Sequence, residues 1–183
     1  MNRKLTRNEW VAVAVSLIAV GFMLFVSFRT APLFSTINED SLRNFVPESV
    51  ANGKVPFSEL EKSLESPNTL KDFAQAEELG VIDAEMGTGR EAKSGDTVVV
   101  DYTGFLTDGT KFDSSIDGGQ PVEFVLGQGM LISGWEEGIP GMKEGGLRIL
   151  VVPPHLGYGE SEVGPIPPNS VLIFLVNLVE IKN

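Results

Sequence analysis

Between Val98 and Trp135 five aromatic residues, Tyr102, Phe105, Phe112, Phe124 and Trp135, are grouped around Asp113. The stretch holds no cysteine, no histidine, no serine-nucleophile elbow and no metal-ligand cluster. Rings around one fixed carboxylate suit recognition of an apolar ligand better than bond-breaking chemistry. Two other motifs are incomplete. Asp113, Ser115, Asp117 and Gly118 begin like a calcium loop, but Phe124 stands where the loop needs Glu. Gly127, Gly129 and Gly134 do not have the spacing of a dinucleotide fingerprint, and no βαβ pattern follows them. The lone His155 lies in a Pro-Pro-His-Leu-Gly turn with no partner in sequence and reads as a solvent-exposed turn residue. Metal and cofactor are therefore not expected.

The elements that must position these residues are β-rich. The chain has 183 residues, 42% hydrophobic, with 20 glycines and 11 prolines, which implies many turns. Val98, Val100 and Tyr102 alternate with Val99, Asp101 and Thr103 as a strand. A turn follows at Thr107–Thr110, and Lys111–Ser114 is extended. Val122–Leu126, Leu147–Val152 and Val171–Ile181 are further strands, the last apolar on both faces and so central. Leu131–Ile139 is the one helical stretch of this region, ending near Pro140-Gly141. Pro153–Pro168 forms a long loop of the kind that often carries function. The expected class is α+β: a twisted antiparallel sheet wrapped around one short helix.

Two segments precede this domain. Trp10–Phe28 is 19 residues without a charge, about 28 Å as a helix, close to the ~30 Å hydrocarbon core of a bilayer. Arg3, Lys4 and Arg7 before it keep the N-terminus cytoplasmic and send the rest across. Residues 1–30 are thus expected to be a single transmembrane signal-anchor. The competing readings are a cleaved signal peptide, disfavoured by the length of the run and the poor cleavage site at Phe28–Pro32, and a buried soluble helix. Residues 31–79 read as a polar, acidic tether interrupted by Pro32, Pro47, Pro56 and Pro67. Short helices fit at Glu59–Glu65, behind a capping box at Ser58–Glu61, and at Leu70–Glu78. The segment is open to two readings, a flexible spacer or a small docking element.

Net charge is −11. Residues 1–30 carry four basic side chains against Glu9, a net of +3, which leaves −14 on the remainder. So acidic a domain is a poor nucleic-acid binder, because that affinity comes from Lys and Arg on phosphates. The absence of cysteine excludes disulfides and thiol chemistry.

Four blocks, DYTGFLTDGTKFDSS, VLGQGMLISGWEEGIPGMKEGG, VPPHLGYG and PIPPNSVLIFLVNLVEI, resemble in order and spacing the FKBP-type peptidyl-prolyl cis-trans isomerases. The resemblance covers residues 79–183 and implies an isomerase domain over 80–183 acting on Xaa-Pro bonds of polypeptides. It implies a hydrophobic cup with the indole of Trp135 as floor, and with Tyr102, Phe112, Val122, Leu131, Ile132 and Phe174 as walls. Ile166 would cover the cup, Asp113, Tyr158 and Tyr102 would be the catalytic residues, and the Ile132 N–H would hold a ligand carbonyl. Macrolide immunosuppressants that fill the family's pocket become expected inhibitors. Val122 stands where the family often has Phe, and the long loop is one residue shorter than is usual, with Glu162 or Val163 where a His or aromatic residue is common. With the anchor, the resemblance suggests an extracytoplasmic folding assistant at a membrane, most simply a bacterial inner membrane. A non-catalytic module that holds proline-containing segments is the alternative.

Overall fold

The computed structural model describes residues 56–66 and 70–182. The anchor expected at 10–28 lies outside them, as does the first half of the 31–79 segment. Among the described residues no helix is long and apolar enough to cross a membrane.

Six strands form one sheet: β1 (Gly80–Glu85), β2 (Thr97–Leu106), β3 (Lys111–Ser114), β4 (Val122–Val125), β5 (Leu147–Val152) and β6 (Leu172–Lys182). The order is β1-β5-β6-β2-β3, with β4 also on β2, and every pairing is antiparallel. β2 is the spine. One edge pairs with β6 along its length, while the other is shared by β4 at Thr97–Val100 and β3 at Thr103–Phe105. In the gap between those partners the Tyr102 N–H donates to Ser115 Oγ at 2.9 Å. Ser115 opens a single helical turn, α2 (Ser115–Gly118), which the sequence reading did not include.

The expected helix at Leu131–Ile139 is shorter, α3 (Ser133–Gly138), because Ile132 is extended at its N-terminus (φ −61°, ψ 145°). The sheet wraps it as expected. Gly134 and Gly138 lie one turn apart and let α3 sit directly on β5. A Cβ on Gly134 would fall 2.5 Å from Val152 Cγ1, and one on Gly138 2.7 Å from Leu150 Cδ2. The core on this face joins Trp135, Ile139 and Met142 to Val98, Val100, Leu150, Val152, Phe174 and Val176.

The opposite face of the sheet is also apolar and also covered. β5 is buried at all six positions. Helix α1 (Phe57–Leu64) and a single 3-10 turn at Lys71–Phe73 lay Leu60, Leu64, Leu70 and Phe73 against Phe105, Ile149, Val151, Ile173 and Leu175. The described part of the acidic segment is therefore a packed strap rather than a spacer. Its first helix lies close to the expected place but starts at Phe57, so Ser58 is inside it and the capping box does not form; the Glu59 and Leu60 N–H groups bond the Pro56 carbonyl instead. The expected second helix, Leu70–Glu78, reduces to the one 3-10 turn, because Phe73 and Leu70 already reach the sheet and nothing beyond Ala76 holds an apolar stripe.

Candidate functional site

The concave side of β2, the end of β3, the start of α3 and the loop before β6 meet in a cup of rings. The Trp135 indole is 5% exposed and forms the floor. Tyr102 meets it edge-on at 5.0 Å between centroids, and Phe174 at 5.2 Å and 84°. Phe112 stands perpendicular to Phe174 at 5.6 Å. Such edge-to-face pairs place positive ring edges against negative faces and hold each ring in one orientation. Phe124 adds a tilted contact to the indole at 5.5 Å. Val122, Leu131 and Ile132 pack against the same cluster, half-buried, while Ile166 is buried in it. Ile166 is held there by a tight turn in which its N–H and carbonyl bond those of Val163.

A β-bulge builds one wall. Gly104 pairs with Asp113 but Phe105 pairs with Lys111, so Phe112 is an extra residue in β3. In a regular strand Phe112 and Asp113 would point to opposite faces. The bulge re-aims Phe112 onto the cup side, which Asp113 already faces opposite Gly104. Gly104 makes room for it, since a Cβ there would come within 2.5 Å of the Phe112 ring. Gly104→Ala is expected to cost about 1–3 kcal/mol, the usual penalty of overpacking. In a Phe112→Ala background the same change should be close to neutral. Urea unfolding of the four variants checks this, and an equal penalty in both backgrounds would place the strain elsewhere.

The polar groups are few and aligned. The Tyr102 hydroxyl donates to Asp113 Oδ2 at 2.5 Å, and the Ser114 N–H donates to Asp113 Oδ1 at 2.9 Å. The Tyr102 phenol is pushed far above its usual range, first by burial and then by the bond to Asp113, so it stays a donor at any physiological pH. Tyr158 stands close enough to add to that effect and is itself exposed at the rim. The Trp135 Nε1–H is buried without a partner among the described residues. A buried orphan donor costs about 1–3 kcal/mol, and such groups collect at functional sites. The Ile132 N–H, just ahead of α3, also makes no hydrogen bond among the described residues.

All ten expected site residues thus gather at one cup. Sequence reasoning missed others. Glu136 sends its carboxylate back to the N–H groups of Gly127 (2.5 Å) and Gly129 (2.9 Å) and so fixes the loop that delivers Leu131 and Ile132. Gly104, which leaves room for the Phe112 ring, and Ser114, whose N–H binds Asp113, are the others. The spacing of Gly127 and Gly129 from Glu136 was the available signal, and it is a weak one. His155 is exposed in a 3-10 turn, as expected. Among the described residues no group of His, Cys, Asp and Glu could hold a metal ion.

A sheet wrapped on one short helix, with an aromatic cup around a fixed carboxylate, defines a site for an apolar ligand. The family model for FKBP-type peptidyl-prolyl cis-trans isomerase matches residues 88–179. The chain is 55% identical over 95 residues to FK506-binding protein 2 of Yarrowia lipolytica, covering 51% of this chain and 66% of that protein. It is 50% identical over 104 residues to the FK506-binding protein of Neisseria meningitidis serogroup B, covering 56% of this chain and 95% of that protein. The crystal structure of AtFKBP13 superposes with a TM-score of 0.55 at 38% identity, over 57% of this chain and 93% of that one. The chain belongs to the FKBP-type peptidyl-prolyl cis-trans isomerase family, and its activity is rotation about Xaa-Pro peptide bonds.

Proposed function

We propose that the cup takes the proline ring of an Xaa-Pro segment onto the Trp135 indole and lowers the barrier to rotation by favouring the twisted amide. The barrier is about 18–20 kcal/mol, because the C–N bond has double-bond character, and the uncatalysed flip takes tens to hundreds of seconds. No bond is broken. The twisted amide has lost its resonance and is less polar than the planar one, so a dry ring of Tyr102, Phe112, Phe174 and Trp135 favours it. In this reading the Ile132 N–H and the Tyr158 hydroxyl hold substrate carbonyls. Asp113 fixes Tyr102 and polarises the turning amide. Val122, Leu131 and Ile166 shape the pocket around the ring. The observation that carries the reading is the short Tyr102–Asp113 bond set over the edge-to-face ring cluster.

Residues 10–28 anchor the chain in a membrane, with the N-terminus cytoplasmic and the isomerase domain on the other side, where it assists exported proteins in folding. The apolar run and the preceding Arg3, Lys4 and Arg7 support this. FK506-type macrolides should compete for the cup, as the names of the relatives suggest.

The test is the cis-to-trans rate of a short Xaa-Pro peptide with the full chain in detergent, wild type beside Asp113→Ala and Tyr102→Ala. Each variant should lose at least about tenfold in kcat/KM, equivalent to ~1.4 kcal/mol of transition-state stabilisation. A macrolide should abolish the wild-type rate. Full rates in both variants would end the assignment of the site. A folded wild type that binds the macrolide without accelerating the flip would be a binding module instead.

A further inference from the structure

Thr103 is fully buried on the outer face of the sheet, beneath α1, while its neighbour Tyr102 lines the cup on the other face. Its hydroxyl donates to Glu61 Oε1 on α1 at 2.9 Å and lies 3.0 Å from Ser114 Oγ. A hydroxyl has one proton. With the Thr103 proton committed to the Glu61 carboxylate, Ser114 is the donor between the two hydroxyls, and the Tyr102 carbonyl at 3.3 Å is the longer, competing acceptor for the same proton. The Ser114 backbone N–H in turn donates to Asp113 Oδ1, and Asp113 Oδ2 accepts from Tyr102. One connected series of hydrogen bonds therefore crosses the sheet, from a helix of the N-terminal segment to the carboxylate in the cup.

This link matters because β3 is weakly held. It has four residues, lies at an edge, and pairs with β2 through three residues interrupted by the bulge at Phe112. Its ladder alone leaves the end that carries Asp113 poorly fixed. Glu61 and Glu65 also stand near enough to Lys111, at the other end of β3, to favour its charged form, after the larger effect of its ion pair with Asp117.

We propose that Glu61 is a positioning residue for isomerisation, acting through Thr103 and Ser114 to hold Asp113 against Tyr102, so that docking of the N-terminal strap sets the activity of the cup. The inference rests on the reading of Asp113 given above.

The experiment compares Glu61→Leu, Glu61→Gln, Thr103→Val and Asp113→Ala in the full chain, with circular dichroism to establish folding and kcat and KM measured separately. Glu61→Leu and Thr103→Val should each lower kcat about threefold to tenfold with KM little changed, the effect of one lost hydrogen bond that acts in the transition state. Glu61→Gln keeps an acceptor oxygen and should stay within about twofold of wild type. In the Asp113→Ala background, Glu61→Leu should have no further effect, because residues acting through one group are not additive. A folded Glu61→Leu protein with full kcat, or a loss that multiplies fully onto Asp113→Ala, overturns the proposal. If Glu61→Leu fails to fold, Thr103→Val decides from the buried end of the same link. An Asp113→Ala protein with full activity would instead sink the reading of the site on which the proposal stands.

Discussion

Phe73→Ala in the full chain is expected to lower the stability of the isomerase domain by about 3–5 kcal/mol, the usual cost of removing a buried phenylalanine. The ring is 1% exposed and lies in the outer-face cluster with Leu60, Leu64 and Leu70, each at most 1% exposed. None of these four belongs to the region that the family model matches. The measurement is urea unfolding followed by intrinsic fluorescence, and a change of under about 1 kcal/mol would mean that the strap does not hold the sheet. A fragment beginning at Gly80 loses all four side chains at once. It exposes Phe105, Ile149, Val151, Ile173 and Leu175 together, against a total stability that for small domains is only about 5–15 kcal/mol. Such a fragment is expected to be soluble only at low concentration, because a contiguous apolar sheet face is an association surface.

The cup was legible because its signal is local and chemical. Tyr102, Phe112, Asp113 and Trp135 fall in two short blocks, where aromatic residues gather about a single acid. The strap was hidden for the opposite reason. Its apolar residues, Leu60, Leu64, Leu70 and Phe73, are spread on either side of Pro67 among acidic neighbours, and no single helical period connects them. The demand for a cover was nonetheless present in the sheet. β6 carries Val171, Ile173 and Leu175 just before and along one face and Leu172, Phe174 and Val176 on the other, and β5 is apolar at five of its six positions. A strand apolar on both faces needs two layers of protein, and α3 supplies only one. Centrality in the sheet was the reading drawn from this pattern; the strap was the other half of its meaning. The bulge at Phe112 could not be read at all, since it is a matter of register between β2 and β3 rather than of residue type. Strand β1 escaped notice because Gly80–Glu85 is an edge strand with only one neighbour and mixed burial.

Arg148 explains how β1, though peripheral, bears on the cup. It is the sole charged residue of β5, and its side chain is 8% exposed. It meets Asp83 of β1 in a bidentate pair, Nε to Oδ1 at 2.7 Å and Nη2 to Oδ2 at 3.1 Å. Its remaining nitrogen donates to the Gly138 carbonyl at 2.7 Å and to Pro140 at 3.3 Å. Those are carbonyls left open at the C-terminal end of α3, the helix that carries Trp135. Asp83→Ala is expected to cost about 2–4 kcal/mol, because it strands a buried guanidinium with carbonyls alone; the partial exposure of Asp83 keeps the figure below that of a fully buried pair. Arg148→Met should cost less, about 1–2 kcal/mol, since it fills the same space and removes the buried charge together with its ion pair and two carbonyl contacts, leaving the half-exposed Asp83 to water. The double variant should lie close to Arg148→Met, with Asp83→Ala adding almost nothing once the charge is gone. Urea midpoints for the three proteins read this order directly. If Asp83→Ala is instead the milder change, the pair is held mainly by solvent-screened attraction, and the role of Arg148 reduces to its grip on α3. That grip has its own readout. Arg148→Met should loosen the floor of the cup and weaken macrolide binding, whereas Asp83→Ala, which leaves both carbonyl contacts in place, should weaken it less despite the larger loss of stability.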